Sequence, residues 1–374
     1  MFYIIQHIGA IIQNYNGALP LTHFLKGYYK QYPKLGSRDR RMLTEMAYSW
    51  YRCSKAITLT NSATEDFGST LRACLVATGN EDMVSKVWPH DQVPEYSIDI
   101  KKILPGTAVF SEGITKEEWA RSMLVQPALF IRIRRQKEKI IKLLSEAGIP
   151  FHFINDECIS LPNGAKIDAL LPADCYVVQD ASSQLTGATF CPVKNELWLD
   201  CCAGAGGKSL LLKDREPSVS VCVSDIRQSI LSNLSERFRL YGHNVEATYL
   251  TDVSDRVKVA EAYGKSRFDR VICDVPCSGS GTWARTPEQL YFFDPSNIEK
   301  FSLLQKQIAV NVAGYLKPGG KLYYITCSVF KAENEQVVDS VVKETGLTLL
   351  TQKIINGTGI NADSMFIAAL QRMV

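Results

Sequence analysis

Apolar positions recur every three and four residues over His23–Lys30 and again over Arg41–Tyr51, so the first ninety or so residues read as helices. Ser37, directly before Arg38-Asp39-Arg40-Arg41, is placed to cap the second of these. From Lys86 to Thr115 the periodicity fades, and Pro89, Pro94, Pro105 and scattered glycines predict a connector and a domain boundary. Beyond it, Ala128–Ile133 reads as a strand, Lys137–Ala147 as a helix stopped by Gly148-Ile149-Pro150, and Phe151–Leu161 as another strand. From about Val193 short apolar runs alternate with longer amphipathic ones. The strand candidates are Glu196–Cys201, Val219–Ser224, Glu246–Leu250, Phe268–Val275, Gly320–Thr326 and Met365–Leu370, with helices between them, notably Ile226–Tyr241 and Pro295–Leu316. Strand and helix repeated in this way predict a mostly parallel sheet with helices on both faces, its ligands at the carboxyl ends of the strands.

With 374 residues, the chain is long enough for two or three packed units. The pattern divides it into a helical domain (1–90), a connector (91–115), a small basic α/β module (116–190) and a Rossmann-like α/β domain (191–374). Hydrophobic content of 46% with charged content of 22% excludes a disordered chain. The net charge is only +3, but it is unevenly spread. Up to Thr60, Lys26, Lys30, Lys34, Arg38, Arg40, Arg41, Arg52 and Lys55 face only Asp39 and Glu45, and between Arg121 and Lys142 seven basic residues meet only Glu138. Such asymmetry suits phosphate contact, although a charge run taken alone is more often a solvated face.

Eleven cysteines in a long chain, with no signal-peptide pattern at its start, read as reduced and cytoplasmic rather than as a disulfide scaffold. No window approaches the apolar run that a membrane helix needs, so no membrane role is expected. Adjacent Cys201 and Cys202 and the Cys273/Cys277 pair lack the spacing of a structural zinc site, and no metal is expected.

The chemistry concentrates in three places. Leu197-Trp198-Leu199-Asp200-Cys201-Cys202-Ala203-Gly204-Ala205-Gly206-Gly207-Lys208-Ser209 sets a glycine turn between a strand and a helix, a context for a nucleotide or nucleoside. A phosphate-binding Walker loop needs glycine where Cys202 stands, and a dinucleotide GxGxxG needs it where Ser209 stands, so neither ATP hydrolysis nor NAD binding is supported. What remains is a turn that a ligand can approach closely, with free amides at the helix start. The next strands close in Ser224-Asp225 and Thr251-Asp252. A carboxylate at Asp225 can accept from ribose hydroxyls, one at Asp252 can reach an adenine amino group, and Asp200 can meet a ligand ammonium directly or through water. A single acid here would read as a turn or cap residue. Acids closing successive strands weaken that reading.

Phe268–Thr282 is a strand running into Asp274-Val275-Pro276-Cys277-Ser278-Gly279, and a second thiol ends the next strand in Thr326-Cys327-Ser328. On neighbouring strands the two thiols would face one site. Carbon 5 of cytosine is too weak a nucleophile to be methylated directly, but a thiolate added at carbon 6 makes it an enamine that can be. Asp274 could bond the N3/N4 edge of the base, and Lys208 could hold that carboxylate or one on the cofactor. A lone cysteine at a strand end is usually a small buried hydrophobe; two in these contexts are not so easily read that way.

Together these segments resemble the Sun/RsmB-type family of RNA (cytosine-5) methyltransferases. The likeness takes in Gln126-Pro127 to Arg134, Val178-Gln179-Asp180-Ala181-Ser182-Ser183, the glycine turn, the Asp274–Gly279 loop, Thr326-Cys327-Ser328 with Glu333-Asn334-Glu335, and Met365-Phe366-Ile367-Ala368. It implies S-adenosylmethionine as cofactor and a seven-stranded sheet. Cys327 would be the nucleophile, and Cys277 would assist proton removal and product release. Cys202 through Lys208, Asp225, Arg227, Asp252, Asp274 and Pro276 would line the cofactor site. The N-terminal helices, with Gly36-Ser37-Arg38-Asp39-Arg40-Arg41, look like the NusB-like RNA-binding domain of some members. By family analogy the substrate is RNA, with ribosomal RNA preferred and transfer RNA second, and the protein a cytoplasmic monomer. The turn departs from the family pattern at Ala205 and Ser209, where proline and threonine are usual. Two rival readings keep part of the pattern: an S-adenosylmethionine enzyme acting on a non-RNA substrate, and a non-catalytic RNA-binding factor.

Overall fold

The computed structural model describes residues 2–60, 66–104 and 106–374; Pro105 of the expected connector lies outside them. The chain groups into two compact units, one of Met1–Ala108, Thr115–Gln126 and Thr282–Pro295, the other of Val109–Ile114, Pro127–Gly281 and Ser296–Val374. These divide the chain at other points than residues 90, 115 and 190.

The first unit packs α1 (Phe2–Asn14), α2 (Leu21–Gln31), α3 (Ser37–Cys53), α4 (Phe67–Ala77), α5 (Glu81–Val87) and α6 (Lys116–Ser122) with an antiparallel pair, β1 (Ile57–Leu59) and β2 (Tyr96–Ile98). Ile4, Ile8 and Ile11, spaced by four and three, put one face of α1 into a core with Leu25, Leu43, Met46 and Leu71. Two expectations need correction. The cap of α3 is Gly36, whose N–H donates to the Asp39 carboxylate at 3.2 Å, and Ser37 is already helical. The segment read as a connector carries β2, because three residues are too few to show a period. The returning segment 282–295 is held by Trp283 against Trp119 and Tyr291 against Tyr51, while Glu288 accepts from the Leu21 N–H.

The second unit holds two sheets. The smaller, in the order β4-β5-β3-β6, is antiparallel and consists of β3 (Leu129–Ile133), β4 (His152–Phe153), β5 (Cys158–Leu161) and β6 (Tyr176–Val178), with α7 (Lys137–Glu146) seating Ile140 and Leu144 on it. The single strand expected at Phe151–Leu161 is thus a hairpin. Asn155 turns the chain by accepting the N–H groups of Glu157 and Cys158.

The larger sheet follows α8 (Ala181–Gly187). It comprises β7 (Leu197–Asp200), α9 (Gly207–Arg215), β8 (Ser220–Asp225), α10 (Gln228–Leu240), β9 (Ala247–Leu250), α11 (Arg256–Tyr263) and β10 (Phe268–Asp274). After α12 (Pro287–Tyr291), which lies in the first unit, come α13 (Asn297–Ala313), β11 (Leu316–Thr326), α14 (Glu335–Thr345), β12 (Thr348–Ile355) and β13 (Met365–Gln371). The strand order is β12-β13-β11-β10-β7-β8-β9, with β13 antiparallel to both neighbours and the other contacts parallel. All six expected strands of this region are present; β12 is an addition. Alternate residues serve opposite faces. Leu199, Val271, Cys273 and Tyr324 pack with α11, α13 and α14, whereas Trp198, Ile272 and Tyr323 pack with α9 and α10. This is the α/β, Rossmann-like architecture read from the alternation.

The small sheet is tied to the large one by charge. Arg132 of β3 and Arg134, just beyond its end, pair with Asp214 of α9 at 2.6 and 2.5 Å, and His243 bonds the same carboxylate at 2.8 Å. Burial pushes the Asp214 carboxyl up, but the Arg134 and His243 bonds and the Arg132 charge outweigh it and hold the group below its ordinary range. Its contribution is therefore present above that range and lost as the pH falls through it. Asp214→Ala strands two buried guanidinium groups and is expected to cost on the order of 3 kcal/mol at neutral pH. Urea unfolding of wild type and variant measures this, and the gap should narrow in acid.

Candidate active site

Strand order decides which side chains meet. Because β11, β10, β7 and β8 are successive parallel neighbours, their carboxyl ends bring Cys327, Asp274, Asp200 and Asp225 to one edge of the sheet. The registers Asp274 beside Ile325 and Ile272 beside Asp200 fix the stagger.

From β7 the chain turns through Cys202–Gly206 into α9. Gly206 has φ 77°, and a Cβ there would lie 2.8 Å from Leu234 Cγ, so both backbone and space demand glycine. The Gly204 N–H donates to Asp225 Oδ2 at 3.1 Å, and the backbone and side chain of Arg227 donate to Oδ1 at 3.0 Å. Burial alone would raise the Asp225 carboxyl; the bonds and charge of Arg227, with Gly204, bring it below its ordinary value. Asp252 Oδ1 accepts from the Ser254 N–H and hydroxyl, and Ala205 supplies a carbonyl to Arg237. Ser209 keeps a hydroxyl where threonine was expected and gives it to Asp200 Oδ2 at 2.6 Å.

Two adjoining cavities open along these strand ends. One, of about 570 Å³, is lined by Cys202, Asp225, Ile226, Arg227, Thr251 and Asp252 at one side and by Asp274, Pro276, Cys277 and Cys327 at the other. The second, of about 230 Å³, is lined by Asp200, Lys208, Asp274 and the glycine turn from Cys202 to Gly207 except Gly206. Lys208 Nζ donates to Asp274 Oδ2 at 2.5 Å. Burial lowers the ammonium, but the Asp274 charge and hydrogen bond more than restore it, so Lys208 sits above its ordinary value. The Cys277 and Cys327 sulfurs are 3.2 Å apart. That is far beyond a disulfide bond of about 2.05 Å, so these are two thiols in contact. Contact with Cys327, then burial, holds the Cys277 thiol well above its ordinary value.

Residues 188–371 match the model of the 16S rRNA methyltransferase RsmB/F family. Through this segment, just under half of the chain, the protein is similar to that family. It is 29% identical over 231 residues to the ribosomal RNA small subunit methyltransferase B of Cronobacter sakazakii, covering 59% of this chain and 52% of that protein. The Citrobacter koseri protein of the same name is 30% identical over 244 residues, covering 63% and 55%. The chain spans about half the length of these curated relatives. Among solved structures, PH0851 is similar with TM-score 0.70, 18% identity and coverage of 94% of this chain and 95% of that one. NSun6 from Pyrococcus horikoshii, solved with SFG, is similar with TM-score 0.56 at 16% identity, covering 66% and 91%. At these identities the likeness speaks for the fold, a Rossmann-like methyltransferase sheet.

Every site residue singled out in the segment 188–371 lies at the same sheet edge: the glycine turn with Lys208, Asp225, Arg227, Asp252, Asp274, Pro276, Cys277 and Cys327. Sequence reasoning assigned no chemistry to Glu333, Ser278, Ser328 or Gln305, which bond one another directly behind the thiols. The Glu333-Asn334-Glu335 run, six residues after Cys327, was the available signal.

Asp200 supplies a test of the site's electrostatics. Burial dominates and pushes its carboxyl up to about 7 despite the Ser209 bond. A raised carboxyl is stabilising while protonated, so that contribution is full below the unfolded value near 4 and disappears as the pH rises through about 7. Asp200→Asn should match wild type at pH 4 and exceed it by a few kcal/mol, order of magnitude, at pH 8. Thermal or urea unfolding of the ligand-free protein at the two pH values would show it, and equal pH dependence in both proteins would refute it.

Proposed function

We propose that the protein methylates carbon 5 of a cytosine in RNA, with S-adenosylmethionine as cofactor and Cys327 as nucleophile. The observation that carries this reading is the contact of two thiols beside a lysine–aspartate pair at the carboxyl edge of adjoining parallel strands. The cleft's donor set fits the cofactor. Asp225 offers a carboxylate to ribose hydroxyls, Asp252 an acceptor to the adenine amino group, and Pro276 an apolar wall. Two buried oxygens, Asp200 Oδ1 and Thr251 Oγ1, have no hydrogen-bond partner among the described residues, as a polar ligand group would require. An ammonium beside Asp200 would also favour its ionised form.

When bound, the cofactor supplies an electrophilic methyl group on a sulfonium sulfur. The protein's own residues prepare the acceptor. Cys327 Sγ, as thiolate, bonds to carbon 6 and breaks the 5,6 double bond, which turns carbon 5 into an enamine carbon able to take the methyl. Asp274, held by Lys208, bonds the N3/N4 edge of the ring and stabilises the adduct. The proton on methylated carbon 5 is then lost with help from Cys277, the double bond re-forms, and Cys327 departs as thiolate. Two thiols fit two tasks, attack and release, and neither rival reading needs the second. A base sandwiched between thiol and methyl donor must be unpaired or extruded from a helix.

Radiolabelled methyl transfer to ribosomal RNA from a strain lacking the gene tests the reading. Cys327→Ala should lose transfer by at least about a thousandfold, the scale of removing a covalent nucleophile. Cys277→Ala should leave a protein–RNA band that survives denaturing gels. Full activity in Cys327→Ala would remove the nucleophile assignment. Cofactor binding without transfer to any RNA would move the reading to a non-RNA methyltransferase.

A further inference from the structure

Glu333 has no place in the reaction just described, yet it is fully buried and accepts four hydrogen bonds. Its Oε1 takes the Ser278 N–H at 2.8 Å and Gln305 Nε2 at 2.9 Å; its Oε2 takes the hydroxyls of Ser278 and Ser328, each at 2.5 Å. Ser278 follows Cys277, and Ser328 follows Cys327. One carboxylate thus straps the two loops that carry the thiols. Gln305 is seated in turn on the Pro276 carbonyl at 3.0 Å, and the Tyr324 hydroxyl donates to the Glu333 carbonyl at 2.5 Å.

A loop anchor alone does not call for a charge. Taking a carboxylate out of water is costly, and a neutral amide could bridge two hydroxyls and an N–H at less expense. The charge is useful because of where it stands. It lies on the side of Cys277 and adds to what keeps that thiol protonated, whereas Lys208 lies within electrostatic reach of Cys327.

We propose that Glu333 is a positioning residue for methyl transfer, setting Cys277 against Cys327 through Ser278 and Ser328. The proposal rests on the two-thiol reading, but its test is separable from it. Glu333→Gln removes the charge and keeps the shape. In that variant kcat should fall by about ten- to a hundredfold, the effect of a modest misplacement of reacting groups, with KM for RNA and cofactor within about twofold of wild type. Alkylation of Cys277 by iodoacetamide, followed by peptide mass spectrometry across pH, should move about one pH unit lower, as expected when a nearby negative charge is removed. Glu333→Asp, which keeps the charge, should return the alkylation profile toward wild type. Wild-type kcat in Glu333→Gln, or an unmoved Cys277 profile, would overturn the proposal. Should Glu333→Gln fail to fold, the double variant Ser278→Ala/Ser328→Ala removes two of the four bonds and leaves the charge. It should lower kcat at unchanged KM, and an unchanged kcat would equally overturn it. Alkylation needs no turnover, so its result stands even if Cys327→Ala proves active.

Discussion

The Lys208–Asp274 pair fixes the rest of the site. Lys208 is the second residue of α9, at a helix end where the backbone dipole disfavours a cation, and its side chain is 9% exposed. An ammonium there needs a carboxylate, and Asp274 can supply one only if β10 lies next to β7 with the stagger observed. The glycine turn follows from the same demand, since the chain must leave β7 and enter α9 within a few residues for Lys208 to lean over Asp274. Beneath the pair, Trp198 of β7 and Tyr323 of β11 stack with an interplanar angle of 1°, on the two strands that flank β10. Large rings on both neighbours leave β10 little room to shift, so the carboxylate and the Cys277 loop after it are held by the core below.

Much of this was legible because the parallel strands are buried on both faces and read as near-continuous apolar runs closed by an acid or a thiol. The glycine turn, the acids and both cysteines lie next to such runs, and each reached the expected edge. What stayed hidden has a physical reason in each case. The edge strand β12, Thr348–Ile355, is largely exposed and lacks an apolar run. β6 has three residues, and the hairpin at Phe151–Leu161 hides its turn in Asn155, one polar residue among several. The return of 282–295 to the helical unit depends on partners such as Trp119 and Tyr51, more than 160 residues away in sequence. Glu333 was visible as a motif letter, but its meaning lies in four donors from three separated segments, which no periodicity reveals.

The loops after β10 and β11 are irregular, and irregular backbone at a buried edge must satisfy its polar groups by other means than a ladder. Asn334 meets part of that need by donating to the Ser328 carbonyl and the Ser111 hydroxyl and accepting from Thr326. Gly281 meets another part. Its N–H donates to the Cys327 carbonyl, its own carbonyl accepts from Ser364, and a Cβ there would lie 2.0 Å from the Ser364 oxygen. The Cys327 backbone is thus bonded from the Cys277 loop, and that loop is bonded from the segment leading into β13.

This connection gives the antiparallel strand a purpose beyond extending the sheet. With β13 beside β11 and Ser364 just before it, the segment leading into β13 backs the loop that bonds the Cys327 carbonyl. Both thiols line the cavity shared with Asp274 and Pro276. In the proposed reaction, a nucleophile that attacks one face of a ring and later departs from it gains from such an arrangement. Its backbone is fixed from behind, and only its sulfur remains free to form and break a bond.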